Sequence, residues 1–465
     1  MRLVNRWSSS FRWVVGLVLV VFLALIVLTF RLSKPLEDRT YVPLEEVITP
    51  EITLLQEYVR IDTSNPPGRE LDGARFLIAE LARRGVTAEL IESAPGRANV
   101  YARIKGKRRG DGLLLLHHID VVPPGAEGWS EPPFAAKTKA NMLYGRGTLD
   151  MKSIGISHLL AFADLAAMES PPQRDVVFLA VADEEAGGAL GVAWLLANRP
   201  DVFEDVGFAL NEGGISETAE EKPRLFGIEV GTRQLVNLSL KARERRPLEL
   251  ARTALLPFQN PRDPERILPE VPGILRNASM YRIEKRELLA DVEATIANGD
   301  FFRLSTVDRS LFFSAMSLDG VLAAPEGGFT MNVVLNNLSD VNPDDAIARV
   351  RQIVDRFGVA IEVVSKQGPS PITPTDSRLF ALISEEVRRS YGDEVFVGPI
   401  ILPFSSNDSR YLRPRGIRAY GLSPFPVTLY QTWGIHGSDE RIRLDWFVEG
   451  VKLTRRVVAR FAMEQ

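Results

Sequence analysis

Between residues 49 and 228 the apolar positions switch between two periods. Ala74, Leu77, Ile78 and Leu81 fall at i, i+3, i+4 and i+7, which predicts an amphipathic helix closed by Gly85. Strands are predicted at 86–92, 100–104 and 113–116, and short apolar runs without alternation at 176–181 and 208–210 predict strands covered on both faces. Ile156, Leu159, Leu160 and Ala163 share one face of a helix expected over 153–168. From about Ile228 the texture changes: "QLVNLSLKA" and "FTMNVVLN" alternate with period 2, as strands with one face in water do. Asn342 is expected to cap a helix begun by Pro343, Asp344 and Asp345, with Ile347, Val350, Val354 and Phe357 as its apolar stripe. After the Pro- and Ser-rich "KQGPSPITPTDS", helix and strand alternate again and end in a helix carrying Phe447, Val451, Val458 and Phe461. The pattern predicts an α/β domain in two parts, 49–228 and 367–465, interrupted by an inserted α+β domain over 229–366.

Ahead of these domains, residues 13–30 form an uncharged apolar run flanked by Arg2, Arg6 and Arg12 on one side and Arg31 and Lys34 on the other. A run of that length spans a bilayer, and no small-residue cleavage site follows it. The expectation is a short cytoplasmic tail at 1–12, a transmembrane helix at 13–30, a linker at 31–48 bearing Pro35 and Pro43, and domains outside the cytoplasm, in a periplasm or lumen.

Composition narrows the chemistry. With 45% hydrophobic and 25% charged residues the chain is of ordinary globular type. A formal net charge of -4, without a basic block, argues against nucleic acid as a partner. There is no cysteine, so a metal site here must use His, Asp and Glu, and no thiolate nucleophile exists. The four histidines are therefore worth locating, and two of them stand together in "LLLLHHIDVVPP", residues 113–124.

In an open α/β sheet ligands bind beyond the carboxyl ends of strands. His118 and Asp120 follow the leucine strand, Asp183, Glu184 and Glu185 follow "VVFLAVA", Glu212 follows "GFAL", and Asp150 opens a helix after "LYGRGTL". Singly, each has a plain structural reading: a buried histidine, a solvated acidic turn, a helix N-terminal acid. Together they crowd carboxylates onto one edge, which is unfavourable unless a cation neutralises them. His117, on the opposite face of its strand, and His158, in mid-helix, are read as structural.

"HHIDVVP", Trp129 with "PPF", "LYGRGTLDMK" and "DEEAGG", in that order, resemble the di-zinc exopeptidase family of aminoacylases, carboxypeptidases and succinyl-diaminopimelate desuccinylase. "PSPITPTDS", "NDSRYL" and "HGSDERI" are similar to its carboxypeptidase S and fatty-acyl-amino-acid hydrolase branch. The resemblance implies a phosphorylase/hydrolase-like mixed-sheet catalytic domain with a ferredoxin-like inserted domain acting as lid and dimer interface. It implies that His118 and Glu212 hold one metal, Glu185 and His436 a second, and Asp150 bridges both. Asp120 would orient the imidazole of His118, and Glu184 would be the general base. The pair would be Zn²⁺, with Co²⁺ or Mn²⁺ as alternatives, and such a pair lowers the pKa of a water and polarises a carbonyl. The substrate would be an N-acyl amino acid or small peptide, with Arg410 and Asn407 as candidates for binding it and Arg410 for its carboxylate.

One expected part is missing. The family places a histidine in the lid, within "GHSS-P", to stabilise the oxyanion, whereas residues 238–256 here read "LSLKARERRPLELARTALL". Arg243, Arg245 and Arg246 are candidates to replace it, or simply surface charge, and "GVLAAPE" at 320–326 only approximates the family's "NVLPE". Losing one oxyanion donor costs about 100–1,000-fold in rate. The alternative reading is therefore a weakly active or inactive relative that binds metal and ligand as a regulatory protein.

Overall fold

The leucine strand is longer than its apolar run. Arg108–His118 lies between Arg174–Val181 and Val206–Asn211, parallel to both. Its alternate residues serve two cores: Leu113 and Leu115 join Phe162 and Phe178 on one face, Leu114 and Leu116 join Val192 and Leu195 on the other. Burial on both faces is why the run shows no alternation, and each fully buried leucine contributes roughly 1.5–3 kcal/mol. The protein is represented by a computed structural model that describes residues 48–219 and 222–464.

Those strands form the middle of a nine-stranded sheet. Its order is Glu89–Ala94, Arg97–Ile104, Arg174–Val181, Arg108–His118, Val206–Asn211, Arg418–Gly421, Lys222–Gly231 and Phe396–Ile401, with Ile215–Ala219 antiparallel on Lys222–Gly231. The helices Glu70–Arg83, Lys152–Ala166 and Leu444–Met463 pack on the face that holds Phe162, Phe178 and Phe461. A change of texture was expected near Ile228, yet Leu225 to Gly231 are all buried in the large sheet. The strand runs parallel to Phe396–Ile401 and has no wet face.

A second, antiparallel sheet takes all its strands from later residues: Gln234–Ala242, Ala315–Leu318, Leu322–Ala323, Phe329–Asn337 and Ala360–Lys366. The helices Arg245–Leu255 and Pro343–Val354 cover it with Leu248, Ala251, Val350 and Val354. Asn342 caps the second of these as expected, its side chain accepting from the Asp344 N–H at 3.0 Å. Short helices between residues 256 and 313, among them Val271–Ala278, pack against the edge strand Phe396–Ile401. A third, three-stranded sheet pairs Met142–Tyr144 with Arg441–Arg443 and Lys137–Lys139, tying together two loops that bear candidate site residues.

The expected tail at 1–12, transmembrane helix at 13–30 and nearly all of the linker at 31–48 lie outside the described residues. Among the described residues no helix is long and apolar enough to cross a membrane.

Candidate metal centre

Three adjacent parallel strands deliver three sets of polar side chains to one edge. His118 ends the central strand, Asp183 to Glu185 form the turn after Arg174–Val181, and Glu212 follows Val206–Asn211. Neighbouring strands are about 4.8 Å apart, so residues just past their ends can share one small ligand. Two loops complete the group: Asp150 precedes the helix Lys152–Ala166, and His436 follows the short helix Leu429–Thr432 with a left-handed φ of 58°.

Asp150 stands at the centre. Its Oδ1 lies 3.1 Å from His118 Nε2 and its Oδ2 3.1 Å from His436 Nε2. Glu212 Oε1 is 3.7 Å from His118 Nε2, and Glu185 Oε2 is 3.2 Å from His436 Nε2. One carboxylate thus faces both imidazoles, each of which has a further carboxylate of its own. Donor atoms of His118, Asp150 and Glu185 all lie within 4.8 Å of one another, as do those of His118, Glu184 and Glu212. Glu185 Oε1 is buried with no hydrogen-bond partner. Hard oxygen and imidazole nitrogen donors, one of them orphaned, converge as a divalent metal site requires.

Electrostatics point the same way. Burial pushes the Glu212 and Glu185 carboxyls up, and the neighbouring Asp150 pushes them further. Burial would lower His118, but the Glu212 and Asp150 carboxylates outweigh it and hold the imidazole well above its usual range. Hydrogen bonds to Asp150 and Glu185 raise His436 to about 10. Asp150 lies well below the usual carboxylate range: burial opposes ionisation, and its two histidines overcome it.

Asp120 differs from expectation. The His118 ring donates from Nδ1 to the Asp120 backbone carbonyl at 2.8 Å, while the Asp120 carboxylate stays 3.7 Å away. The tight turn after the strand brings the carbonyl back over the ring. The carboxylate instead accepts the backbone N–H groups of Glu184 and Glu185, both at 3.2 Å, and Asn65 Nδ2 at 2.9 Å. Burial raises it to about 7. Asp120 therefore positions the acidic turn through its side chain and the imidazole through its main chain.

Five further residues support the site and were not expected. Asn65 bridges Asp120 and Asp183 (3.2 Å to the latter). Arg97 joins Asp183 to the buried Glu70, each at 2.7 Å. Glu440 accepts the N–H groups of Gly147, Leu149 and Asp150 at 2.9, 2.7 and 3.1 Å and pairs with Arg146 at 2.6 Å. Two of them carried a signal: Glu440 lies in "HGSDERI" beside His436, and Arg146 in "LYGRGTLDMK" beside Asp150.

A cavity of about 350 Å³ opens over the cluster, lined by Asp150, Glu184, Glu185, Glu212, His436 and Asn407 among others. Asn407 donates to the Glu212 carbonyl at 3.1 Å. Arg410 does not line the cavity; it is buried and donates to Glu184 Oε1 at 2.8 Å. Arg243, Arg245 and Arg246 are exposed and line no part of it, the latter two facing Glu249 at 2.9 and 3.9 Å. His117 and His158 are buried on the side of the sheet helix Lys152–Ala166 covers, and burial lowers both, His158 to about 3.

Residues 114–460 match the profile of Peptidase family M20/M25/M40. The chain is 27% identical to aminoacylase-1 of Pongo abelii over 439 residues, covering 89% of this chain and 95% of that protein. It is 25% identical to the N-fatty-acyl-amino acid synthase/hydrolase PM20D1 of Xenopus tropicalis over 355 residues, 71% of this chain and 68% of that one. Among solved structures, the M20 family metallo-carboxypeptidase Sso-CP2 from Sulfolobus solfataricus superposes with a TM-score of 0.71 at 19% identity, over 90% of this chain and all of that one. Human carnosine dipeptidase 1 gives 0.67 at 15%, over 89% and 97%. A profile match across three quarters of the sequence, over the same residues that build the carboxylate and histidine cluster, establishes that the chain belongs to peptidase family M20/M25/M40 and is a hydrolase of the aminoacylase and peptidase type.

Proposed function

We propose that the chain is a two-zinc amidohydrolase that releases an amino acid from an N-acyl amino acid, and that the observation carrying this is Asp150 facing His118 and His436 with one oxygen each. One ion would be held by His118, Asp150 and Glu212, the other by His436, Asp150 and Glu185. Bound zinc supplies Lewis acidity and lowers the pKa of a water. Glu184, in the cavity wall, takes the proton of the attacking water as its oxygen bonds to the acyl carbon. It returns that proton to the amide nitrogen as the C–N bond breaks, giving a carboxylic acid and a free amine.

An aliphatic acyl group is favoured over a peptide by what adjoins the site. Register pairs Ile215 and Gly398 with Gly227, pairs Phe396 and Glu217 with Leu225, and pairs Ile400 with Glu229. Since side chains alternate, Glu229, Leu225, Ile400, Phe396 and Ile215 share one face of the sheet. That face starts at the cavity, where Asn407 Nδ2 lies 3.4 Å from Glu229 Oε2. It continues as the floor of a second cavity of about 610 Å³ that also includes Ile215, roofed by Ile274, Leu275 and Ala278, with Glu217, Arg282, Glu284 and Asp308 also in its lining. Apolar burial is worth about 0.8 kcal/mol per methylene, roughly a fourfold gain for each added carbon.

The test is amino-acid release from N-acetyl, N-octanoyl and N-dodecanoyl leucine and from dipeptides by zinc-loaded protein. Expected are a kcat/KM that climbs with chain length, loss on chelation, and a loss of at least about 100-fold in Glu184→Gln. Equal, negligible release by wild type and Glu184→Gln would favour instead a binding protein, the reading suggested by the absent lid histidine. We also propose that residues 13–30 anchor the chain, with the enzyme outside the cytoplasm and the 234–366 layer as lid and dimer surface. Recovery of full-length protein from the soluble fraction of disrupted cells counts against the anchor.

A further inference from the structure

Arg410 was expected to hold a substrate carboxylate, and its surroundings fit another task. The side chain is 4% exposed, it has no face on the cavity, and its Nη1 donates to Glu184 Oε1 at 2.8 Å. Behind it, Asp408 Oδ1 lies 3.4 Å from Nη2. Both Asp408 oxygens are buried without a hydrogen bond, so Arg410 is the counter-charge for that carboxylate as well. The guanidinium also stacks on Tyr411, 4.7 Å from the ring centroid, and Tyr411 donates its hydroxyl to Gly187 O at 2.5 Å. Gly188, with φ of +74°, leaves the room: a Cβ there would lie 2.8 Å from Asp408 Oδ1 and 3.3 Å from Arg410 Nη2. The segment 408–411 is thus locked onto the turn 184–188, with one guanidinium arm reaching Glu184.

We propose that Arg410 is a positioning residue: braced by Asp408 and Tyr411, it fixes the carboxylate of Glu184 in the direction from which a proton is taken and returned. The proposal rests on Glu184 acting as the general base. A bidentate-capable, always-charged guanidinium suits this better than lysine, whose ammonium has no fixed plane. Arg410 lies outside the cavity lining, and its charge is turned to Glu184 and Asp408, with Nε and Nη2 buried and making no hydrogen bond.

Steady-state kinetics of Arg410→Lys on N-dodecanoyl-leucine and on its carboxamide separate the roles. Positioning predicts a fall in kcat of about 100-fold, the scale of an ångström-sized misplacement. That fall is shared by acid and amide, with KM within twofold for both. The Glu184→Gln/Arg410→Lys double variant should be no slower than Glu184→Gln alone. A KM raised tenfold or more for the acid only would make Arg410 the substrate's carboxylate clamp and overturn the proposal, as would an unchanged kcat. If Glu184→Gln keeps wild-type kcat, the base reading itself fails; if it is inactive while Arg410→Lys is fully active, only the positioning role fails. Unaltered circular dichroism and zinc content show that the variant folds, and Asp408→Asn, which keeps the shape, is the second variant. Crystal structures read the same property without turnover. Glu184 in one conformer in wild type and several in Arg410→Lys is expected, and one shared conformer in both overturns it.

Discussion

His118 shows how a single residue's neighbours set its chemistry. With Nδ1–H committed to the Asp120 carbonyl at 2.8 Å, the ring turns Nε2 toward Asp150, the atom that would face a metal. The candidate ligands His118, Asp150, Glu185 and Glu212 were legible because each follows a strand or opens a helix, and strand ends are countable from the apolar pattern, whereas the loop residue His436 was reached only through the resemblance. Which atom of Asp120 meets the ring was not, because that depends on the turn's dihedral angles. Lys152 was equally invisible. It is fully buried, donates to the carbonyls of Tyr58 at 3.1 Å and Ile61 at 2.6 Å, and lies 5.0 Å from the centroid of the Tyr58 ring. Burial lowers its pKa from 10.5 to about 7. The unfolded chain keeps the proton up to about 10.5 while the folded chain releases it near 7, so between those values the unfolded state binds more protons and stability rises with pH. Lys152 contributes at most about 1.4 kcal/mol per pH unit to that slope. Lys152→Met, of similar length, should flatten the rise; urea unfolding of both proteins at pH 7, 8, 9 and 10 measures it, and parallel curves would show that Lys152 is not the group responsible.

At the scale of elements, the site depends on loops that hold one another. "LYGRGTLDMK" and "HGSDERI" lie almost 290 residues apart in sequence and meet through the pairing of Met142–Tyr144 with Arg441–Arg443. Glu440 then takes three backbone donors of the Asp150 loop, those of Gly147, Leu149 and Asp150, with burial raising its pKa and Arg146 opposing. Asp150 is held by its main chain, which leaves both its carboxylate oxygens for the two imidazoles. Sequence reading found both motifs yet assigned no role to Glu440, since nothing in the spacing of four residues after His436 tells that its carboxylate turns back onto another loop. The expected texture break at Ile228 shifted for a related reason: a strand buried on both faces and an alternating one differ only in what covers them, and Lys222–Gly231 gained a parallel neighbour from residue 396 onward. Glu440→Gln keeps the shape but weakens the acceptor and leaves Arg146, itself 1% exposed, without its charge partner. Zinc affinity should fall about 10–100-fold, although none of the five donor residues is altered. Competition with a chromophoric chelator measures this, and an unchanged affinity would show that the loop holds its form without Glu440.

The whole molecule carries almost balanced charge, 56 basic against 60 acidic residues, so the acidity of the centre is local. Beyond the edge of the large sheet Asp150, Glu184, Glu185 and Glu212 crowd together, facing the imidazoles of His118 and His436, with Arg410 on Glu184 and with Asp120 and Glu440 holding the surrounding backbone. Divalent ions at this cluster would offset that charge, and ions bound only by the folded chain stabilise it by RT ln(1 + [L]/Kd), about 2.7 kcal/mol at a hundredfold excess over Kd. Because the donors come from three strand ends and two distant loops, that energy is distributed over the large sheet, the helix Lys152–Ala166 and the 436–443 segment rather than one hairpin. Zinc should therefore raise the midpoint of the entire thermal transition by several degrees, and chelation should reverse it. Asp150→Asn, which loses charge at the one residue facing both imidazoles, should abolish most of the shift, whereas Asn407→Ala, in the cavity wall but outside the cluster, should retain it. Differential scanning calorimetry of the three proteins, with zinc and with chelator, decides the matter. A zinc shift of equal size in Asp150→Asn would mean that the ions bind elsewhere.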